Sequence, residues 1–240
     1  IVGNLGGLNL FSWVFSVYLL TSTVTVPLYG KLADIYGRKP VLIFGCATFL
    51  LGSALCGTAQ SMEQLILFRA VKGLGAGAVA PMVLTIVGDL FSIEERAKIQ
   101  GLTGSVWGIS GIAGPALGAV ITEQLGWRWV FYVNLPLGLA GMAVVWLYFR
   151  EQIDRQQHSL DLFGAALLCG GVVSLLLALL QGVDSFGWTG PETLTMFGLA
   201  VLLLVTFVWQ EKRTPEPLIP LSLFRNRVVS IGCLAGFASG

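Results

Sequence analysis

Gly30-Lys31-Leu32-Ala33-Asp34-Ile35-Tyr36-Gly37-Arg38-Lys39-Pro40 is the stretch from which the rest of the chain can be read. It concentrates charge between two uncharged runs, 1–30 and 40–62. Further uncharged runs follow at 73–88, 99–122, 129–149, 162–183, 193–210 and 228–240. All are rich in Leu, Val, Ile, Phe, Gly and Ala. A helix needs about 20 predominantly apolar residues to cross a bilayer, and most of these runs reach or approach that length. Over the 240 residues, 55% are hydrophobic and 11% charged, and mean hydropathy is +0.81. A soluble domain carries about twice that charge. A soluble globular protein, a disordered chain and a disulfide-stapled secreted domain are thereby excluded. The chain is a polytopic, all-α membrane protein.

Taken as helices, the runs predict spans at about 11–30, 40–59, 64–88, 99–122, 129–149, 162–182 and 193–210, with the start of an eighth at 228. The connecting segments alternate in basic content. Lys31, Arg38, Lys39, Arg96, Lys98, Arg150, Arg155, Lys212, Arg213, Arg225 and Arg227 fall in alternate loops, at 31–39, 89–98, 150–161 and 211–227. The opposite set, near 60–63, 123–128 and 183–192, holds only Arg128. The basic side is cytoplasmic by the positive-inside rule. One slipped span would scramble this alternation. Ile1 is not an initiator Met, no signal segment opens the chain, and the last run stops at Gly240. We therefore expect a piece of a longer protein, cut before an upstream helix and within a downstream one.

Trp127, Trp129, Phe131 and Tyr132 are expected as anchors at an outer boundary, and Trp146, Tyr148 and Phe149 at an inner one. Cys46, Cys56, Cys169 and Cys233 lie in apolar runs without ligand spacing and are expected as small buried hydrophobes. His158, the only histidine, is expected in a solvated loop. There is no metal-ligand cluster, no nucleophile–base set and no basic stripe for nucleic acid. No catalytic residue and no metal site are expected.

Gly30 and Gly37 frame the first basic loop. Gly30 is expected to allow a close backbone approach and Gly37 a positive φ, while Pro40 opens the next helix. Asp34 beside Arg38 has the chemistry of a charge-assisted pair. Arg69 and Lys72 lie inside the third span, where a cation is costly unless it is paired or faces water. They share a helix face three residues apart. Arg69 is close enough to Glu63 to snorkel to the boundary. Lys72 sits about 14 Å into the helix at 1.5 Å per residue, where snorkelling is harder. In the fourth span Gly101, Gly104, Gly108, Gly111, Gly114 and Gly118 form a stripe that lets another helix approach. Pro115, after Gly114, can bend the helix.

The motif Gly30–Pro40 resembles the loop between the second and third helices of the major facilitator superfamily of transporters. That resemblance implies a cytoplasmic latch, set by Gly30, Asp34, Gly37, Arg38 and Lys39 and completed by Asp89. It also makes residues 1–10 an outer loop after an absent first helix. The Leu65–Gly77 segment is similar to the family's fourth-helix motif, which assigns proton coupling to Arg69. The family usually has glutamine at the place of Lys72, a departure that bears on the charge of the substrate. Gly111, Gly114, Pro115 and Gly118 resemble the fifth-helix bend of proton-coupled exporters, with Ser110 and Ala119 standing where that motif has glycine.

Trp127–Gly138 resembles the start of the sixth helix in the fourteen-helix drug:proton antiporters. Asp161, Gly164 and the segment Leu218–Arg227 resemble later parts of the same group. The implied layout is 1–10 outer loop, 11–149 the rest of an N-terminal six-helix bundle, 150–210 two linker helices, and 211–240 a loop and the start of a second bundle. The implied activity is export of small lipophilic or cationic compounds against protons by alternating access, in the bacterial cell membrane. The proton gradient supplies the energy and no cofactor is required. Alternatives are a narrow-specificity metabolite or siderophore exporter, or a non-transporting sensor or scaffold. Expected partners are the substrate, protons, the bilayer and, in a Gram-negative cell, a periplasmic adaptor. Tyr18, Lys72, Trp107 and Asn134 are candidate cavity liners.

Overall fold

The computed structural model describes residues 1–151, 161–184, 187–214 and 216–239. A short helix α1 (Val2–Leu5) and a 3-10 turn (Leu8–Leu10) lead into α2 (Phe11–Tyr36). Then come α3 (Arg38–Thr58), α4 (Met62–Leu90), α5 (Ile93–Gln124), the short α6 (Trp129–Tyr132) and α7 (Asn134–Tyr148). The series continues with α8 (Leu162–Asp184), α9 (Pro191–Glu211) and α10 (Arg227–Ser239). Among the described residues seven helical segments are long and apolar enough to cross a membrane. His158 and Arg155 lie outside the described residues.

The helices outrun the apolar spans, and most of the expected loops shrink. Backbone hydrogen bonds continue past the last apolar residue until a residue breaks them. α2 therefore absorbs Lys31 to Tyr36, and the break comes at Gly37, whose φ is 95°. Between α4 and α5 only Phe91 and Ser92 remain, so Arg96 and Lys98 are helical rather than in a loop. Ser92 starts α5 by donating its N–H and Oγ–H to Glu95 Oε2, at 3.0 and 2.8 Å, half of a capping box. Arg96 then donates to the carbonyls of Gly88 and Phe91, satisfying acceptors at the end of α4.

The chain forms two compact units, Ile1–Gln156 and Gln157–Gly240. The expected linker helices and the segment after 211 thus fall in one unit. In the second unit α8 and α9 pair through Leu167, Leu168 and Phe207. Asp161 accepts from Gly164 N–H at the start of α8 and from Thr214 Oγ1 beyond α9. Buried Glu211 accepts from the N–H groups of Leu218 and Ile219.

In the first unit α4 is clasped between α2 and α3. Lipid tails give no hydrophobic drive for helices to associate, so small residues that allow close packing decide where they meet. Gly73 and Gly77, one turn apart, receive α2: a β-carbon on either would fall on Thr21 or Thr25 Oγ1. Gly75, on the opposite side of α4, meets the α3 backbone at Phe49 and Gly45. Gly52 of α3 returns the contact to the backbone of Lys72. An outer core of Val14, Cys56, Ala59, Met62, Leu65, Trp127 and Phe131 closes one end. Trp127 and Phe131 are thus packed inside against residues of α3 and α4 rather than exposed as anchors would be. Trp146 and Tyr148 are exposed, as anchors would be. Of the four cysteines only Cys56 is buried; Cys46 and Cys169 are half-buried and Cys233 is exposed.

Candidate functional site

Two groups of side chains in the first unit carry chemistry. The first lies at the end that the positive-inside rule assigns to the cytoplasm. α3 starts without a capping side chain, and its third residue, Pro40, has no N–H to offer. That leaves the Arg38 and Lys39 amides, and Glu151 accepts from both, at 2.6 and 2.9 Å. A carboxylate there also opposes the positive end of the helix dipole. Lys39 Nζ donates to the carbonyls of Trp146 and Phe149, at 2.8 and 2.6 Å, and lies 5.6 Å from the Trp146 ring centroid. It therefore serves as a C-cap for α7. The Arg38 guanidinium forms an ion pair with Asp89, at the last turn of α4.

This cluster differs from the expected one in its acids. Asp34 is exposed and has no partner among the described residues. Four-residue spacing brings side chains together only along a continuous helix, and Gly37 ends α2 between Asp34 and Arg38. Asp89 takes Arg38 instead. Gly30 makes no close approach either, since a β-carbon there would meet nothing within 4 Å. Glu151 is the member that sequence reasoning missed. The available signal was indirect: a helix opening on Gly-Arg-Lys-Pro has amide donors and no local side chain to accept from them.

The second group surrounds two cavities. Arg69 Nε donates to the Val14 carbonyl of α2 at 2.7 Å. Its guanidinium carbon lies 4.9 Å from the Tyr18 ring centroid and 5.6 Å from that of Phe15. Lys72 is 7% exposed, with Nζ 4.7 Å from the Phe49 centroid and 5.2 Å from that of Phe131. Both cations are turned into the helix bundle, against snorkelling. With Asn134, Trp127, Thr122 and Gly118 they line a cavity of about 470 Å³. Asn134 Nδ2 is held by Ser53 Oγ and the carbonyls of Val130 and Phe131. Tyr18 and Trp107 line a second cavity of about 610 Å³, whose other walls include Phe49, Val79, Val83 and Leu84. The four expected liners thus divide between the two cavities.

The glycine stripe behaves otherwise. α5 runs unbroken through Pro115 and buries none of its residues. A β-carbon at Gly101, Gly104, Gly108, Gly111, Gly114 or Gly118 would meet nothing within 4 Å. The expected tight packing on this stripe is absent among the described residues, because α5 stands apart from the clasp of α2, α3 and α4.

The family model described as Major Facilitator Superfamily matches residues 1–240. The chain belongs to this superfamily. It is 43% identical over 240 residues to the multidrug transporter protein MdtP of Bacillus subtilis (strain 168), covering 99% of this chain and 44% of that protein. It is 39% identical to multidrug resistance protein 3 of the same organism, covering 100% of this chain and 47% of that one. Identity to multidrug resistance protein fnx1 of Schizosaccharomyces pombe is 35%, over 96% and 45%. A crystal structure of an auto-inhibited POT family peptide transporter matches with a TM-score of 0.54 at 20% identity, over 84% of this chain and 44% of that one; this likeness concerns the fold. The chain spans under half the length of these curated relatives. This superfamily member is a multi-pass protein of the cell membrane.

Proposed function

We propose that the protein containing this chain exports small lipophilic compounds in exchange for protons by alternating access. The observation that carries the proposal is Arg69. It is a cation inside a spanning helix, turned onto a backbone carbonyl and two aromatic rings beside a cavity. An intramembrane cation in that setting is functional by default. The names of the relatives support efflux, and the apolar cavity beside Tyr18 and Trp107 suits lipophilic cargo. In superfamily transporters one bundle rocks against another around a midplane site. The cluster of Arg38, Asp89, Lys39 and Glu151 would open and close at the cytoplasmic face during that motion. The proton gradient drives the exchange and no cofactor takes part. In a Gram-negative cell a periplasmic adaptor would receive the cargo.

The test uses the intact transporter in proteoliposomes with an imposed pH gradient, following efflux of a lipophilic dye. Wild type moves the dye and stops when the gradient collapses. Arg69→Ala inserts normally but loses coupled transport by about a hundredfold or more. Gradient-independent movement would remove the proton, and undiminished efflux by Arg69→Ala would remove Arg69 from the mechanism. A folded wild type that moves no lipophilic dye would point instead to a narrow-specificity metabolite exporter.

A further inference from the structure

The cavity lined by Arg69 and Lys72 has an electrical imbalance. Among the described residues its lining includes two cations and no carboxylate. Lys72 is buried, yet its ammonium has no hydrogen-bond acceptor or carboxylate partner among the described residues, only the ring faces of Phe49 and Phe131. Arg69 uses Nε on Val14, and its two terminal nitrogens find no acceptor among the described residues. Trp127 lines the same cavity, but its indole Nε1 is buried away from it. Arginine and lysine side chains donate hydrogen bonds and accept none. Asn134 has its amide nitrogen tied into the α6–α7 backbone and Ser53.

A buried donor without an acceptor and a buried cation without an anion are both costly. Here the two cations also lie within one turn of each other on α4, where like charges repel. One negative group placed between Arg69 and Lys72 would relieve both cations. The neighbouring walls say what should be attached to it. The Tyr18 and Phe49 rings, against which Arg69 and Lys72 stack, also line the apolar cavity.

We propose that this pair of cavities selects organic anions: an acidic head held by Lys72 and Arg69, with an apolar body against Tyr18 and Phe49. This deepens the transport proposal and rests on it for the ligand's being cargo. An uncharged or cationic molecule would leave the donors unanswered, and the cationic one would add repulsion.

The probes are anilinonaphthalene sulfonate and its uncharged counterpart phenylnaphthylamine, which share an aromatic skeleton and differ in the acid. Fluorescence titration uses the intact transporter in phosphatidylcholine nanodiscs. Wild type is expected to bind the sulfonate about tenfold more tightly than the amine. Lys72→Gln should weaken the sulfonate by about tenfold and change the amine by less than about twofold, while Lys72→Arg keeps the preference. Arg69→Gln should weaken the sulfonate by about threefold. Should Lys72→Gln fail to fold, wild-type selectivity and the other two variants decide. Equal wild-type binding of the two probes, or equal loss of both in the variants, overturns the proposal. So does phosphatidylglycerol that abolishes the Lys72-dependent signal, which assigns the site to a lipid headgroup. Lys72-dependent sulfonate binding without gradient-driven efflux would remove the exporter proposal and keep the anion site; efflux without that selectivity would do the reverse.

Discussion

Helices α4 and α5 are both rich in glycine, and the structure treats them oppositely. In α5 the glycines recur every three or four residues and form the more regular stripe. In α4 three of the four stand at 73, 75 and 77, a spacing that sends the middle one to the other side of the helix. The irregular set is the one that is filled. Gly73 and Gly77 take α2, Gly75 takes α3, and α4 becomes the centre of the bundle. The regular set faces open space among the described residues. A small residue permits close packing; whether a neighbour comes depends on where the connections place it. α2 and α3 are joined through Gly37 and tied by Glu151 to the end of α7. α5 leaves α4 through a two-residue turn.

The strongest way to break this contrast is to fill a glycine on α4. Gly75→Val is expected to cost about 3 kcal/mol, since the added methyl groups meet the α3 backbone, which cannot rotate away. Thermal melting of the detergent-solubilised transporter reads this, and wild-type stability would mean that α3 and α4 do not touch there. The tie from α7 should weigh less. Glu151→Gln removes a charged acceptor shared by two amides and is expected to cost about 1 kcal/mol. Asp34→Asn should stay within about 0.5 kcal/mol. If Asp34→Asn costs more than Glu151→Gln in the same melts, Asp34 belongs to the cluster after all. The smallest effect is expected on α5. Gly111→Ala should shift stability by under about 1 kcal/mol, toward the folded state, because an open helical glycine gains propensity from a β-carbon. A loss rivalling that of Gly75→Val would show that the intact transporter covers the α5 stripe, and the contrast would end.

Much of the fold is legible along the chain. Charge clustering marks the spans, and Lys and Arg counts orient them, because both follow from the cost of moving a charge into hydrocarbon. Their ends are less legible. Tyr36 and Ile93 are helical although hydropathy places them beyond the spans; hydropathy measures the bilayer, whereas a helix stops where its hydrogen-bond ladder stops. The site divides in the same way. Arg69 and Lys72 stand out because cations in apolar runs are rare, and Tyr18, Trp107 and Asn134 because polar or amphipathic side chains in such runs attract attention. Glu151 does not stand out. It sits in a charged segment where an acid is unremarkable, and its role appears only when α3 arrives beside it. Trp127 is misleading for a related reason: its position near the end of a span suggests an anchor, while tertiary packing buries it in the core.

The sequence by itself determined that this protein crosses a membrane repeatedly, how many spans this chain supplies and which superfamily it joins. Those properties rest on local composition and on short motifs, each readable within a single segment. The tertiary structure decided which acid Arg38 pairs with, which helix end Glu151 caps, which glycines are covered and that Lys72 faces rings rather than a carboxylate. Each of these is a contact between separate segments of the chain. In lipid such contacts are selected by shape and hydrogen bonding rather than by hydrophobicity, so hydropathy holds no record of them.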